Sequence, residues 1–474
     1  MAERPSLRER APWKVLDGFG ASTRAVSRHV RPGTLSELAA VLQQAQRESM
    51  TVIPRGSGRS YGDASLNTGA LTIDTAGLAK WMAWDPATGV ADLEPGATIG
   101  DLWRRTLPDG WWPAVVPGTM FPTMGGCIAM NIHGKNCYKV GPFGDHVTEL
   151  DLMTADGQVR TLSPEREGEL FRAVIAGLGL LGVVTRVRLQ LKRVHSGRLR
   201  VRPIRTPSLA AMFDALAERT ATADYLVGWM DCFATGGALG RGLVHEANHL
   251  AEGEDPQGRH TLAAEQQDLP NAIFGVPRSL VWRFLQPFTN DVGIRLMNQA
   301  KYLLPEATDR DGTFLDSHAA FAFLLDYVPG WRNVYGASGF MQYQLFVPDG
   351  SAREAMREAL ELCQRRGLVS YLGVFKRHRA DSFLLTHGLD GWSLALDFPV
   401  PKREPERLWA LTRDLTRIVL EAGGTFYPAK DQVVDAESFA RAYGERLMRF
   451  REIKRSLDPN ALFAGDQARR LGLA

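Results

Sequence analysis

Two clusters of glycine in the first third of the chain restrict its fold more than any other feature. The first cluster, GSGRSYG, occupies residues 56–62 and follows Val52-Ile53-Pro54, an apolar run that predicts a buried strand. Glycines after a strand let the backbone approach a diphosphate closely, with successive N–H groups directed at it. The GxGxxxG order, with no helix pattern after it, does not match the GxGxxG dinucleotide fingerprint. Taken alone, the cluster also fits a tight surface loop.

The second glycine cluster lies downstream and bears on the choice between a cofactor-binding loop and a surface loop. It consists of Pro117-Gly118-Thr119, Thr123-Met124-Gly125-Gly126 and Asn131-Ile132-His133-Gly134-Lys135-Asn136. Glycine loses more conformational entropy on folding than any other residue, so this density is costly for a simple connection. A turn-rich loop with a hydrogen-bonded histidine is the alternative. Together, the two clusters favour a bound cofactor that carries phosphate.

The organisation of the chain predicts an α+β protein. Its 474 residues suit two or three domains at about 100–200 residues each. In VTRVRLQLKRV apolar and basic residues alternate with a period of two, which indicates a strand, and we place a domain boundary behind it, near Val194. From about residue 195 to 420, strand patterns alternate with amphipathic helices. This alternation predicts a mainly antiparallel sheet with helices on one side.

Composition excludes several classes of protein. A formal charge of +3 gives no overall preference for nucleic acid. The four cysteines form no CxxC pair, so neither a metal site nor a disulfide framework is predicted. The longest apolar run, Ala173 to Val184, has 12 residues, whereas a spanning helix needs about 20. The charged N-terminus lacks an apolar signal core. We therefore expect no signal peptide, no transmembrane helix, and a cytoplasmic protein or one peripheral at the inner membrane.

One basic stretch bears on whether the protein lies at the membrane surface. Between Arg186 and Arg205 there are eight Arg or Lys residues and no acid, and Arg198, Arg200 and Arg202 alternate with apolar residues on one strand face. A solvated sheet face is one interpretation. Attraction to an anionic membrane, at about 1 kcal/mol per basic residue, is the other. The stretch lacks interleaved aromatic residues, so nucleic-acid binding is not expected.

The motifs together resemble a known family. PRGSGRSYGD, PGTMFPTMGG, NIHGKN, AGLGLLGVVTRV and DPNALF resemble the flavin domain of vanillyl-alcohol-oxidase-type FAD oxidoreductases. FMQYQLFVP, GVFKRH, GWSLALDFPV and YPAKD are similar to the substrate-domain segments of the branch that oxidises polyprenylphosphoryl ribose. The resemblance implies a PCMH-type FAD-binding domain at 1–194, a substrate domain at 195–420, and a segment at 421–474 that returns to the FAD domain.

The resemblance also implies which residues contact FAD. The first loop is expected to wrap the diphosphate with Arg55, Gly56, Ser57, Gly58, Arg59, Ser60, Tyr61, Gly62 and Asp63. Further contacts are implied for Gly118, Thr123, Met124, Gly125, Gly126, Ala129, Asn131, His133, Val184 and Tyr427. Many superfamily members attach the flavin covalently through a histidine in the first loop. Here Arg59 stands at that position, and its guanidinium has no nucleophilic nitrogen at neutral pH. Non-covalent FAD is therefore expected.

On the substrate side, a base or hydrogen-bond network must take the hydroxyl proton of a sugar alcohol. The resemblance implies that Lys430 lies beside the reacting hydroxyl, with Tyr61 and His133 close by. Without the resemblance, Lys430 would be interpreted as a surface lysine. Gln342 and Gln344 are two apart on a predicted strand, so both face one side. If that side is buried, a sugar hydroxyl or the flavin edge is the expected partner of these substrate-contact candidates; if it is wet, both amides are solvated. The remaining implied substrate contacts are Lys135 and Lys376, for a phosphate, and Trp229, Tyr327 and Asp397.

The sequence departs from the family pattern at two positions. Mycobacterial members of the branch carry a cysteine near the flavin, which covalent inhibitors attack, and Ala395 stands there in this chain. Inhibitors that bond to that thiol are therefore expected to form no covalent bond at this position. Ser393 replaces an amide, so the hydrogen bonds of the pocket are expected to differ in detail.

The expected activity is oxidation of the 2-hydroxyl of a polyprenylphosphoryl-β-D-ribose to the 2-keto sugar. This is the first half of an epimerisation to the arabinose donor of cell-wall arabinan. Quinone or dioxygen is the expected acceptor, and a nicotinamide-dependent reductase is the expected partner. An oxidase of a free sugar, alditol or aldonolactone is the alternative on the same fold. A flavin-free binding or scaffold protein is the alternative from another class.

Overall fold

The computed structural model describes residues 6–273, 275–304 and 308–474. Its first sheet has four strands in the order β1-β2-β4-β3. The elements of this part are α1 (Leu7–Arg10), β1 (Trp13–Asp17), β2 (Arg24–Val30), α2 (Leu35–Arg47), β3 (Val52–Arg55) and β4 (Leu71–Asp74). The Thr34 side chain caps α2 by accepting a hydrogen bond from the Glu37 N–H. The apolar stripe Leu38, Val41, Leu42 and Ala45 is buried against the sheet, as its helical spacing predicts.

A second sheet of five strands completes the N-terminal part, in the order β5-β6-β10-β8-β9. Its elements are β5 (Trp81–Asp85), β6 (Val90–Leu93), α3 (Ile99–Thr106), β7 (Trp111–Trp112), α4 (Met124–Ala129), α5 (Cys137–Val140), β8 (Val147–Met153), β9 (Val159–Leu162), α6 (Gly168–Val174), β10 (Val183–Gln190) and β11 (Lys192–Arg193). The predicted strand after Val184 is β10, and Arg186 on its solvated side pairs with Asp92 at 3.0 Å and with Asp151 at 2.9 Å. The basic stretch therefore starts with an arginine that acids on neighbouring strands already neutralise.

The middle of the chain forms an antiparallel sheet of eight strands, in the order β17-β12-β14-β13-β19-β20-β18-β21. The elements are β12 (Arg198–Thr206), α7 (Leu209–Ala217), β13 (Tyr225–Met230), β14 (Gly242–His249), α8 (Gly258–Thr261), β15 (Ala272–Ile273), β16 (Val276–Pro277), α9 (Arg278–Leu285), α10 (Asp291–Leu303), β17 (Phe314–Ser317), α11 (His318–Ala322), β18 (Phe340–Pro348), α12 (Asp349–Arg365), β19 (Gly373–His378), β20 (Gly391–Pro399) and α13 (Glu406–Glu421). The two-domain α+β fold predicted from the sequence is confirmed.

The two faces of this sheet have different neighbours. Helices α7, α12 and α13 pack on one face, where the Tyr343 hydroxyl lies 2.9 Å from Thr416 Oγ1 of α13. Gln342 and Gln344 alternate with Tyr343 on β18 and line a cavity on the opposite face. The prediction that both amides face one side is thereby confirmed.

The C-terminal segment connects both parts of the molecule. Strand β21 (Thr425–Phe426) pairs with β18, so the chain is still in the eight-stranded sheet after residue 421. Helices α14 (Ala436–Leu457) and α15 (Asp466–Arg470) follow, and the Val52 N–H of β3 donates to the Leu462 carbonyl at 2.7 Å. The domain limits at 194 and 420 stay predictions. Within the described parts of the chain, no helix is long and apolar enough to cross a bilayer.

Candidate active site

A cavity of about 1190 Å³ lies between the N-terminal glycine loops and the open face of the eight-stranded sheet. Its volume exceeds the usual range of small-molecule sites, about 300–1,000 Å³, so it has room for a large cofactor and a substrate together. The predicted site residues that line it are Arg55, Gly56, Ser57, Gly58, Arg59, Ser60, Tyr61, Gly118, Thr123, Gly125, Gly126, Ala129, His133, Lys135, Val184, Trp229, Gln342, Gln344, Lys376, Tyr427 and Lys430. Residues from all three parts of the chain therefore meet in one cavity.

The two glycine clusters pack directly on each other at one end of this cavity. A Cβ at Gly56 would lie 2.0 Å from Thr123 Oγ1, so the first loop approaches the second only because this residue is glycine. Gly58 has a φ of +65°, which favours glycine. The Arg55 guanidinium holds the loop from behind by donating to the Asp17 carbonyl at 2.8 Å and to Ser65 Oγ at 2.9 Å. The first loop is therefore fixed in shape.

Arg59 gives this end of the cavity a positive charge. Its guanidinium lies 4.6 Å from the centre of the Phe121 ring, and burial lowers its pKa. Its Nε is buried and has no hydrogen-bond partner within the described residues, although the side chain lines the cavity. A buried donor without a partner is costly, and an anionic group such as a diphosphate would satisfy it. The residues present therefore fit FAD at the predicted loop.

Lys430 lies where the cavity meets the C-terminal segment. Its Nζ is 3.4 Å from the centre of the Tyr61 ring, and the Tyr61 N–H donates to the carbonyl of the preceding Ala429 at 2.8 Å. Burial, helped by the nearby charge of Lys376, lowers the pKa of Lys430, and the carboxylate of Asp397 opposes this shift. Burial raises the pKa of Tyr61 well above its usual value. The site therefore increases the share of neutral amine at Lys430 and keeps the Tyr61 phenol neutral.

His133 is the centre of a buried polar network. Its Nε2 lies 3.2 Å from Gln344 Nε2, and its Nδ1 lies 3.4 Å from Lys376 Nζ. Burial and the charge of Lys376 lower the pKa of His133 well below its usual value, so the imidazole is neutral. A neutral imidazole has one donor and one acceptor nitrogen. Because the Gln344 amide nitrogen can only donate, His133 Nε2 is the acceptor in that contact.

Sequence reasoning did not assign two histidines of this network. Ser393 Oγ accepts a hydrogen bond from Gln344 at 3.2 Å and lies 2.7 Å from His378 Nε2. The ring of His387 lies 4.3 Å from that of Tyr427, and burial lowers its pKa to about 3. His378 follows Lys376 by two residues on β19, so the strand period could have placed it on the same face. No local pattern marks His387, which lies in a loop.

The lysines predicted for the substrate phosphate lie on the sheet side of the cavity. Burial lowers the pKa of Lys135 to about 7, and its ammonium contacts the Phe321 ring at 4.2 Å and the Phe321 carbonyl. Burial lowers the pKa of Lys376 to about 8. An anion between them would favour the charged form of both. The cavity thus contains two amines whose charge depends on what is bound.

Six predicted residues do not line the cavity. Asp63 forms an ion pair with Arg470 of α15 at 2.7 Å, and a Cβ at Gly62 would lie 2.6 Å from the Asp431 carbonyl. Asn131 accepts a hydrogen bond from the Gly144 N–H at 2.9 Å. The other three are Met124, buried at the start of α4, Tyr327, which packs on the core, and Asp397. The roles predicted for these six residues as ligand contacts stay predictions.

Asp397 is a special case among them. It is fully buried on β20, and its Oδ1 accepts a hydrogen bond from the cavity-lining Gln342. Its Oδ2 is buried without a hydrogen-bond partner within the described residues. Burial raises the pKa of this carboxyl, and the hydrogen bond from Gln342 opposes the shift. Asp397 therefore acts on the cavity through Gln342 and through its charge near Lys430.

Comparison with known proteins agrees with this geometry. A family described as "FAD binding domain" matches residues 26–163. The chain is 32% identical over 462 residues to the decaprenylphosphoryl-β-D-ribose oxidase of Mycolicibacterium smegmatis, with 92% of each chain covered. It is 31% identical to an uncharacterized protein of Streptomyces coelicolor, over 79% of this chain and all of that one. Cytokinin dehydrogenase 6 of Oryza sativa is 32% identical, over 38% of this chain and 37% of its own.

Fold, cavity and family match define an FAD-dependent oxidoreductase of the vanillyl-alcohol-oxidase type. Its cofactor is FAD, and Arg59 occupies the position at which other superfamily members carry the flavin-linking histidine. Within that class, the chain belongs to the family of the decaprenylphosphoryl-β-D-ribose oxidase, because the identity extends over nearly the whole length of both chains.

Proposed function

We propose that the protein oxidises the 2-hydroxyl of a polyprenylphosphoryl-β-D-ribose to the 2-keto sugar, the first half of an epimerisation at that carbon. The observation that supports this best is the set of three partly buried lysines, Lys430, Lys135 and Lys376, which all line one cavity and whose pKa values burial lowers. A single amine is enough to accept the hydroxyl proton. Two more are the complement expected for a substrate that also carries a phosphate.

FAD supplies the hydride-accepting chemistry when it is bound. The chain supplies the acid–base chemistry. Lys430, with its lowered pKa, takes the hydroxyl proton on Nζ as the C–H bond is broken, and the Tyr61 ring under the ammonium stabilises the charged product by a cation–π contact. Asp397 stabilises the same ammonium from behind Gln342.

His133 and Gln344 orient the sugar. Because Gln344 is held by both His133 and Ser393, its amide has a fixed direction and can present one polar atom to a ribose hydroxyl. Lys135 and Lys376 bind the phosphate on the sheet side of the cavity. The bound anion keeps both ammonium groups charged, which in turn favours the neutral form of Lys430.

The product of this step determines the partners. A 2-keto sugar must be reduced from the opposite face for the epimerisation to be completed, so we infer a separate nicotinamide-dependent reductase. The reduced cofactor must be reoxidised, and quinone or dioxygen are the acceptors we propose. Both assignments rest on the proposed reaction.

The test is an anaerobic titration of FAD-loaded protein with a short-chain prenylphosphoryl ribose, followed by flavin absorbance. We expect one equivalent of substrate to bleach one equivalent of flavin. Free ribose, an alditol and an aldonolactone are the comparison compounds. Bleaching by one of these, with none by the prenylphosphoryl ribose, would replace the proposal with a free-polyol oxidase.

A further inference from the structure

A pair of helices beside the cavity turns apolar side chains toward solvent. We refer to residues 278–304, which contain α9, a short turn and α10, as the exposed hairpin. Leu280, Phe284 and Phe288 follow each other at a spacing of four and are 38%, 62% and 58% exposed. On α10, Val292 and Leu296 have the same spacing and are 68% and 66% exposed. Since a helix has 3.6 residues per turn, Leu280 and Phe284 form a row along one side of α9, and Val292 and Leu296 form a row along one side of α10. Phe288 lies on the turn between the two helices.

The exposed row of α10 is not the side by which this helix packs on the molecule. Helix α10 is attached to the molecule by its other side, where Ile294 and Asn298 are buried and the Asn298 amide donates to Asp231 Oδ1 at 3.0 Å. Its apolar row therefore remains outside after the helix has packed. Leu303, the last residue of α10, and Leu304 after it are 55% and 66% exposed and add to the apolar surface. Contiguous exposed apolar surface of this kind marks an interaction site.

The charge of the exposed hairpin indicates the chemistry of the surface that it would bind. Residues 278–303 contain four basic side chains, Arg278, Arg283, Arg295 and Lys301, and a single acid, Asp291. The Asp291 carboxylate accepts a hydrogen bond from the Tyr371 hydroxyl at 2.9 Å. Apolar rows flanked by arginine and lysine are typical of helices that lie in the interface of an anionic membrane. An acidic, apolar surface is therefore the complement that this hairpin fits.

The hairpin also lies at the mouth of the active-site cavity. Arg278 of α9 and Lys301 of α10 both line that cavity, and Lys301 Nζ is 4.5 Å from the centre of the Trp229 ring. Leu324 lines the same cavity and is 57% exposed. A chain that leaves the cavity on this side would therefore meet the apolar rows directly.

We propose that the exposed hairpin docks the protein on an anionic lipid bilayer, with its apolar rows in the headgroup region and the exposed Arg283 and Arg295 on lipid phosphates. This inference deepens the proposed function and rests on it: docking would let a prenyl tail pass from the bilayer to the cavity without crossing water. The basic face of β12 is the weaker candidate, because Leu199 and Val201 between its arginines are 1% and 0% exposed. Arg200 on that face also pairs with Glu254 at 3.6 Å.

The test is cosedimentation of full-length, FAD-loaded protein with vesicles of phosphatidylcholine, alone or mixed with phosphatidylglycerol. We expect binding to the mixed vesicles to exceed binding to phosphatidylcholine by about tenfold or more. The Phe284→Ser/Leu296→Ser variant should lose this binding. The matched control is Met82→Ser/Met448→Ser, because both methionines are 57% exposed on other elements. Equal loss in the control, or no binding to either vesicle, would overturn the proposal.

Two further readouts separate the alternatives. If the face instead covers a second copy of the chain, wild-type protein will sediment as a dimer without lipid and Phe284→Ser/Leu296→Ser as a monomer, which would also overturn membrane docking. The vesicles contain no substrate, so their binding does not depend on the reaction. A short-chain prenylphosphoryl ribose should bleach the flavin of this variant as fast as that of the wild type, whereas failure in both proteins would count against the proposed function alone.

Discussion

At the scale of single residues, the proposed chemistry depends on the amine of Lys430. Replacing it in Lys430→Met should leave FAD bound but slow flavin reduction by about 10²–10⁴-fold, the usual contribution of a positioned base. Lys402→Met is the control, since Lys402 is exposed on the loop before α13. Rapid mixing with the short-chain substrate under anaerobic conditions measures the rate. A Lys430→Met enzyme with the wild-type rate would remove Lys430 from the mechanism.

The same amine gives the reaction a pH dependence whose sign follows from its environment. Lys430 accepts a proton only in its neutral form, so flavin reduction should rise with pH and level off above the pKa of Lys430, well below 10.5. Asp397 favours the charged form, so Asp397→Asn should lower that pKa further and move the rise to lower pH. The exposed Asp214→Asn is the control. An unshifted profile in Asp397→Asn would contradict the charge contact between the two residues.

Ala395 offers a test of the cavity that needs no substrate. It lines the cavity, whereas burial raises the pKa of all four native thiols, Cys127, Cys137, Cys232 and Cys363. We expect a small alkylating reagent to leave the folded wild type unmodified and to add one group to Ala395→Cys, as measured by mass spectrometry. Leu394→Cys, on the opposite face of β20, should stay unmodified. An adduct on both variants would mean that the strand faces are assigned wrongly.

Sequence reasoning could reach some of these residues and not others, for a physical reason. The strand period placed Gln342 and Gln344 on one face, and the structure confirms this. The period gives the face of a residue but not its distance from a ligand. The family resemblance implied Asp397 as a substrate contact; the structure places its carboxylate behind Gln342, and the predicted contact stays a prediction. The period could also have placed His378 on the face of Lys376, but it could not predict the contact of His378 with Ser393, which comes from the neighbouring strand.

At the scale of elements, the end of α14 connects the C-terminal segment to the FAD domain. Lys454 is buried and donates to the Asp458 carboxylate at 3.0 Å, to the Phe463 carbonyl at 2.8 Å and to the Leu180 carbonyl at 3.1 Å. The sequence showed a basic helix followed by DPNALF, which by itself describes a solvated end. The ion pair could not be predicted, because nothing in the helix distinguishes Lys454 from its exposed neighbours until Leu180 approaches.

Breaking this pair should be costly. Lys454→Met leaves the Asp458 carboxylate buried without its cation, and removing one partner of a buried pair lowers the free energy of unfolding by about 3–5 kcal/mol. Arg455→Met replaces the next residue, which is exposed, and should change the free energy of unfolding by no more than about 0.5 kcal/mol. Denaturant unfolding followed by tryptophan fluorescence compares the two. Equal stabilities would show that Lys454 is solvated in the native protein.

At the scale of the whole molecule, the cavity is the place where all three parts of the chain meet. The glycine clusters come from the N-terminal part, Gln342 and Gln344 from the eight-stranded sheet, and Lys430 from the C-terminal segment. The sequence predicted the fold class and the residues of this meeting point through their motifs. It did not predict that β21 extends the sheet before the chain returns, since a strand of two residues leaves no pattern. A ligand bound in this cavity would therefore contact all three parts.

FAD should accordingly stabilise the molecule and still be removable. A ligand that binds only the folded state at 100 times its dissociation constant adds about 2.7 kcal/mol, so added FAD should raise the unfolding temperature of the stripped protein in a concentration-dependent manner. Riboflavin is the matched control, because it has the same ring but no diphosphate for the loop around Arg59. It should raise the unfolding temperature far less than FAD does. Acid precipitation should release all the flavin into the supernatant, because Arg59 replaces the linking histidine. Flavin retained in the pellet would mean a covalent bond elsewhere, and an equal effect of riboflavin would mean that the glycine loops do not bind the diphosphate.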